Sequence, residues 1–185
     1  MIDYQKIIEK YFETGSLAYE IYMKHVTLVT KKALEVAHRV PELKPDLEFI
    51  EEAAMLHDIG ICEVDGPLIG CHGKEPYITH TFLGKEILEN EGLPKHALVC
   101  VHHNIGLSKE RIIEAKLPLP HEDMIPTTVE EKIICFADKF FTKNQTRNNS
   151  KLTIKEIKTI EKKHHERNVV IFEKMCEEFK EPKEN

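Results

Sequence analysis

Apolar residues recur along this 185-residue chain at the three-to-four spacing of amphipathic helices almost from end to end, and the alternation of a strand is weak throughout. The pattern predicts a short helix over 3–14, broken at Gly15-Ser16, and a long one over 16–40 stopped by Pro41. A third, over 46–58, opens with Asp46 as N-cap after Pro45 and closes before Gly60, which suits a C-terminal cap. Residues 62–76, CEVDGPLIGCHGKEP, hold three glycines and two prolines and read as loop. Further helices fit 77–91, 94–103 and 108–115. A proline-rich connection, from Leu117 to Pro126, then leads to helices over 128–148 and 152–180. The expectation is one all-α domain over 1–185, a helical bundle with its core over about 17–148 and a C-terminal helix over about 152–180.

Some polar residues sit where this pattern points inward. On the long second helix Leu17, Ile21, Tyr22, Leu28, Val29 and Val36 share a broad arc, and His25 falls in its middle. Taken alone, His25 reads as a hydrogen-bonded core histidine. The third helix buries Leu47, Ile50, Ala53 and Ala54, and His57 and Asp58 follow on that face at its last turn. An imidazole beside a carboxylate in apolar surroundings is costly unless the two pair structurally or bind a cation, and both readings fit here. Asp138 lies in the apolar run Ile133–Phe141, either with its carboxylate inside or at the helix edge. Taken together, three inward helices offering imidazole and carboxylate groups match the N/O donor set of first-row divalent metals.

Composition narrows the partners. A formal charge of −6 with 31% charged residues lacks the basic excess that a long nucleic acid would require. The opening residues Met1–Lys6 carry no basic leader, and no apolar run is long enough to span a bilayer, so a cytoplasmic protein with no membrane partner is expected. Five cysteines without a C-x-x-C pair suggest neither a zinc ribbon nor a disulfide framework. Eleven histidines are the compositional excess, and their positions decide what they mean.

The order His25, then His57-Asp58 within AAMLHDIG, then Asp138 within CFADK resembles the H…HD…D signature of the HD superfamily of metal-dependent phosphohydrolases. HDIG is the commonest form of its centre, and the resemblance extends over about residues 17–148. It implies an HD-domain helical bundle around a metal, with His25, His57, Asp58 and Asp138 as ligands. His80 shares a face with Leu83 and Ile87, with Gly84 permitting close approach, and His102-His103 precede Asn104-Ile105-Gly106. Superfamily members with two metals carry extra histidines in these intervals. The HxxG at 103–106 is similar to that of bacterial dinucleoside tetraphosphate hydrolases, which favours His80 and His103, over His102, as ligands of a second ion bridged by Asp58. The competing reading is two scattered surface histidines.

The resemblance further implies one or two divalent ions per chain (Fe, Mn, Co, Ni or Zn), which lower the pKa of a bound water so that hydroxide exists near neutral pH. Asp58 would hold and orient that nucleophile, and Lys139 or Arg147 would stabilise the phosphate of a small substrate, a nucleotide or other phosphate ester. Lys139, Lys143 and Arg147 recur every four residues on one side of the expected helix, either as a phosphate-binding rail with Lys139 nearest the metal or as a solvated basic face. Cys71 and His72 read as part of a polar loop, and His38, His96, His121, His164 and His165 fit no arc that needs them inside. No GYP follows His102-His103, which disfavours the cyclic-dinucleotide branch. Two rivals share the fold: a mixed-valent diiron oxygenase, with the same six-ligand arrangement, and a non-catalytic nucleotide-sensing module.

Overall fold

Side-chain caps set most helix starts. In the computed structural model, which describes residues 2–143 and 151–182, Asp3 accepts from the Lys6 amide to open α1 (Tyr4–Tyr11) and Ser16 from Tyr19 to open α2 (Leu17–Arg39). Asp46 does the same for α3 (Leu47–Leu56) through Phe49. A 3₁₀ turn at Tyr77–Thr79 leads into α4 (His80–Asn90), and Pro94 starts α5 (Pro94–His102). Ser108 caps α6 (Lys109–Glu114), and capping boxes at Thr128/Glu131 and Thr153/Glu156 open α7 (Val129–Asp138) and α8 (Ile154–His164). The last helix, α9, is Glu166–Glu178.

Two apolar clusters meet along α2. Val29, Ala33, Val36 and Ala37 pack with α3, α7 and α9, where the rings of Phe140, Phe172 and Phe179 gather around Phe136 at centroid distances of 5.1, 5.5 and 5.3 Å. One turn earlier, Tyr22 and Val26 belong to a second cluster with Leu56, Ile59, Leu88 and Cys100. His25 therefore sits at the seam between the clusters. Among the described residues the fold is all-helical apart from one tiny hairpin, as the periodicity predicts, and no helix is long and apolar enough to cross a membrane.

Three elements differ from the sequence expectation. The predicted helix over 152–180 is two helices, because His165 is extended (φ −169°, ψ 142°) and its Nδ1 caps α9 by accepting from the Arg167 amide at 3.0 Å. Folding α9 back against α8 lets Ile157 of one and Phe172 and Met175 of the other enter the same core. The predicted helix over 128–148 ends at Asp138, its stretch over 144–148 lies outside the described residues, and the Leu152 amide donates to the Phe140 carbonyl at 2.8 Å. Loop 62–76 contains a hairpin of β1 (Asp65–Gly66) and β2 (Cys71–His72), paired Asp65 to His72 and Gly66 to Cys71. Strands of two residues are too short to leave an alternation in the sequence.

Glu131 closes the capping box of α7 while only 3% exposed, accepting from the amides of Thr127 at 2.7 Å and Thr128 at 3.1 Å. Burial alone would raise its carboxyl, but His102 and these donors bring it from 4.5 down to about 2. A depressed folded-state pKa means that the unfolded chain binds the proton more readily, so this stabilisation is full above about pH 4.5 and fades as the pH falls toward 2. Glu131→Gln is expected to cost about 1–2 kcal/mol at neutral pH, with the gap from the parent closing on the acid side. Thermal melts of both proteins across that range check it.

Candidate metal centre

Three helices deliver the first group of inward polar residues. His25 comes from the middle of α2, and His57 and Asp58 from the end of α3, where a 3₁₀ turn over Ile59–Glu63 begins. Asp138 is the last residue of α7. His25 Nε2 lies 3.1 Å from both Asp58 Oδ2 and Asp138 Oδ1, and His57 Nε2 lies 3.3 and 3.6 Å from the same two atoms.

A second group faces the other oxygen of Asp58. His80, the first residue of α4, places Nε2 3.3 Å from Asp58 Oδ1, and His103, just past α5, places Nε2 3.7 Å from it. The two Nε2 atoms are 3.3 Å apart. His25, His57, Asp58 and Asp138, and separately Asp58, His80 and His103, form donor groups whose atoms lie within 4.8 Å of one another and could hold metal ions.

Hydrogen bonding fixes which ring nitrogen faces in. Nδ1 of His57 donates to the Ala54 carbonyl at 2.7 Å, Nδ1 of His80 to Tyr77 at 2.7 Å, and Nδ1 of His103 to Val99 at 3.3 Å. In the neutral rings each Nε2 is then an acceptor, pointed at other acceptors. His25 Nε2, His57 Nε2 and Asp58 Oδ1 are buried without a hydrogen-bond partner, and Asp58 Oδ2 has the Lys143 ammonium as its donor. Convergent buried lone pairs repel one another unless positive charge stands among them, so the residues present fit a divalent cation.

The protein's own basic side chains supply part of that positive charge. Burial alone would raise the Asp58 carboxyl, but Lys143, His57 and His25 hold it well below the usual carboxylate range. Asp138 is likewise held down against its burial by Lys139, His25 and His57. Burial lowers His57, yet Asp58 and Asp138 raise it to about 9, whereas His103 is pushed well down by burial and by the charge of His57.

The structure thus brings together all six residues expected from the sequence, and it separates His102 from them. His102 Nδ1 lies 2.9 Å from Glu131 Oε1, so His103 and not His102 faces the centre. The basic stripe needs correction. With α7 ending at Asp138, a spacing of four residues no longer aligns side chains on one helical face. Lys139 Nζ turns to Asp138 Oδ2 at 3.0 Å, and it is Lys143 that reaches the shared carboxylate, 2.5 Å from Asp58 Oδ2. Arg147 lies outside the described residues.

His96 also departs from expectation: it is buried, with Nε2 3.1 Å from Glu52 Oε2 on α3. Cys71 is buried, its thiol pushed up to about 11 by desolvation, while His72, His38, His121, His164 and His165 are exposed. Tyr77 was not singled out in the sequence, yet its carbonyl orients His80 and its ring lies 5.0 Å from the imidazole. The Y-x-x-H spacing was the available signal.

Comparison with known proteins places this arrangement. The family description "HD domain" matches residues 22–143. A tRNA (cytidine(56)-2'-O)-methyltransferase of Thermoplasma volcanium is 30% identical over 139 residues, 75% of this chain but 36% of that protein. An enzyme of the same name from Picrophilus torridus is 29% identical over 64% of this chain and 31% of its own length. The chain therefore spans about a third of the length of these two relatives. An uncharacterised protein of Methanocaldococcus jannaschii is 34% identical over 66% of this chain and 68% of its own. Among solved structures, the HD domain of the Listeria monocytogenes phosphodiesterase PgpH superposes with a TM-score of 0.53 at 16% identity, covering 91% of this chain and 94% of that one, a likeness of fold. HD domain proteins bind divalent metals, and all six convergent residues and both lysines fall inside the matched segment, so the chain belongs to the HD domain family.

Proposed function

We propose that this protein is a metal-dependent hydrolase of small phosphate esters, nucleotides among them, working with two divalent ions per chain. The observation that carries this reading is the division of Asp58, one oxygen toward His25 and His57 and the other toward His80 and His103. A pair of bound divalent ions supplies an acidified water as nucleophile and Lewis acids for the phosphoryl oxygens.

The chain's own residues do the rest. Asp58 spans the two groups and orients what they hold, while Asp138 and the four histidines complete them. Lys143 and Lys139 flank the two carboxylates and offer N–H donors to the non-bridging oxygens of a phosphate. Because Asp58 and His57 are wholly buried and His25 nearly so, these charges act in a low-dielectric setting, where they favour the developing anion more than in water.

Metal analysis of the purified chain, followed by phosphate release from a panel of esters with Mn²⁺, Co²⁺, Ni²⁺ and Fe²⁺, tests the activity. Oxygen consumption with no phosphate release would instead assign the diiron oxygenase chemistry. His80→Ala and His103→Ala are each expected to lower metal content from about two to about one per chain, whereas His102→Ala retains the parental content. Equal content in all three variants would refute the two-ion centre.

A further inference from the structure

Helix α8 lies outside the segment shared with the family, yet it forms a wall of the cleft beside the centre. That cleft, of about 750 Å³, is lined by Asp138, Lys139 and Lys143 and by apolar and aromatic side chains that include Leu68, Tyr77, Phe141 and Ile160. Glu161 and His164 of α8 also line it. A second cavity of about 260 Å³, against Asn104–Leu107, shares Lys139, Glu161 and His164 with the first. Glu161 therefore stands where the two meet.

The volume is many times the roughly 30 Å³ share of a water molecule, so a phosphate group alone leaves most of the cleft unfilled. Its apolar walls call for a ring-sized organic group. Glu161 supplies a further polar group. It is buried, and its Oε2 accepts from Asn168 Nδ2 at 2.9 Å. An ionised carboxylate only accepts hydrogen bonds, so whatever meets it from the cleft must donate.

We propose that Glu161 selects the organic half of the substrate: a flat, largely apolar heterocycle that presents an exocyclic amino donor to it, while the ester phosphate rests at Lys139 and Lys143. This rests on the phosphohydrolase reading above and adds to it a residue that reads the leaving group. The bland alternative is that Glu161 only anchors Asn168.

Cytidine and uridine monophosphates are a matched pair of probes, because one ring position carries an amino donor in the first and a carbonyl acceptor in the second. The metal-loaded full chain is expected to use cytidine monophosphate with kcat/KM about 10- to 100-fold above uridine monophosphate, the scale of one hydrogen bond to a buried charge. Calorimetry of the metal-free chain with the two nucleosides, which lack phosphate, should show the same order of affinity. Glu161→Gln keeps an oxygen for Asn168 and turns an amide N–H₂ toward the cleft, so it should collapse or invert the ratio chiefly through KM, at unchanged metal content and melting temperature.

Equal use of the two nucleotides by the parent chain would overturn the proposal, as would an unaltered ratio in Glu161→Gln or a proportional loss on both substrates with early melting. If Glu161→Gln does not fold, the parental ratio and the nucleoside affinities still decide it. Failure to hydrolyse any phosphate ester, with cytidine still bound above uridine, would instead remove the phosphohydrolase reading and leave the role of Glu161 standing.

Discussion

Asp58→Asn is expected to release the metal and to lower phosphate-ester hydrolysis by a factor on the order of 10³ or more, while the chain remains helical. Asp58 is wholly buried, and its two oxygens face His25, His57, His80, His103 and Lys143. Asparagine keeps the shape and one oxygen but removes the negative charge that lets cations gather there. It also brings an N–H₂ group to face imidazole nitrogens whose lone pairs now find a donor, so part of the packing survives the loss of function.

A purely structural Asp58 predicts the reverse. Removing one member of a buried charged set while the other stays charged costs roughly 3–5 kcal/mol, which would appear as an early melt with metal and turnover retained. Circular dichroism melts, metal analysis and phosphate release on one preparation separate the two outcomes. Early melting with full metal and activity would refute the centre described above.

Gly60→Ala should be a strongly damaging single-methyl addition beside the site. A Cβ at Gly60 would fall 2.1 Å from the His80 carbonyl oxygen and 2.4 Å from the Gly84 amide nitrogen, both backbone atoms of α4. Neither can rotate away, so α4 as a whole must move. It is held from the far side as well, since a Cβ at Gly84 would meet Cys100 Sγ of α5 at 3.0 Å. The expected cost is about 3 kcal/mol or more, the upper end for overpacking.

The displaced element carries His80 at its first residue, so the second donor group should suffer before the first. Metal content falling toward one per chain, together with a lowered melting temperature, is the predicted signature. Gly15→Ala is the control: nothing lies within 4 Å of its added Cβ, and its φ of +81° confines the penalty to local backbone strain. Parental melting and metal content in Gly60→Ala would mean that α4 does not seat on the turn after α3 as described.

The glycine of HDIG thus links the part of the centre that was legible in the sequence to the part that was not. His57 and Asp58 are adjacent, their helix starts at Asp46, and His25 lies on the buried arc of α2, all of which follow from local periodicity and capping. The choice of His103 over His102 came from resemblance alone. Its physical cause is tertiary, because Glu131 on α7 stands beside His102 and the end of α5 turns the next residue inward.

Charged side chains were read least well. Regular spacing suggested a helical rail through Lys139 and Lys143, but α7 stops at Asp138 and each lysine turns to the nearest buried carboxylate. His96 was left outside because no apolar arc demanded it. It is inside because Glu52 of α3 gives it a partner.

What the sequence determined by itself is therefore the set of helices with inward-facing polar residues, since caps and 3.6-residue periodicity act within a few residues along one element. The tertiary structure decided which of those polar groups meet: the division of Asp58 between two histidine pairs, the reach of Lys143, and the placement of α8 that puts Glu161 in the wall of the cleft. Each of these depends on where another helix lies in space and on the field of charges it brings, and no spacing along a single chain segment encodes either.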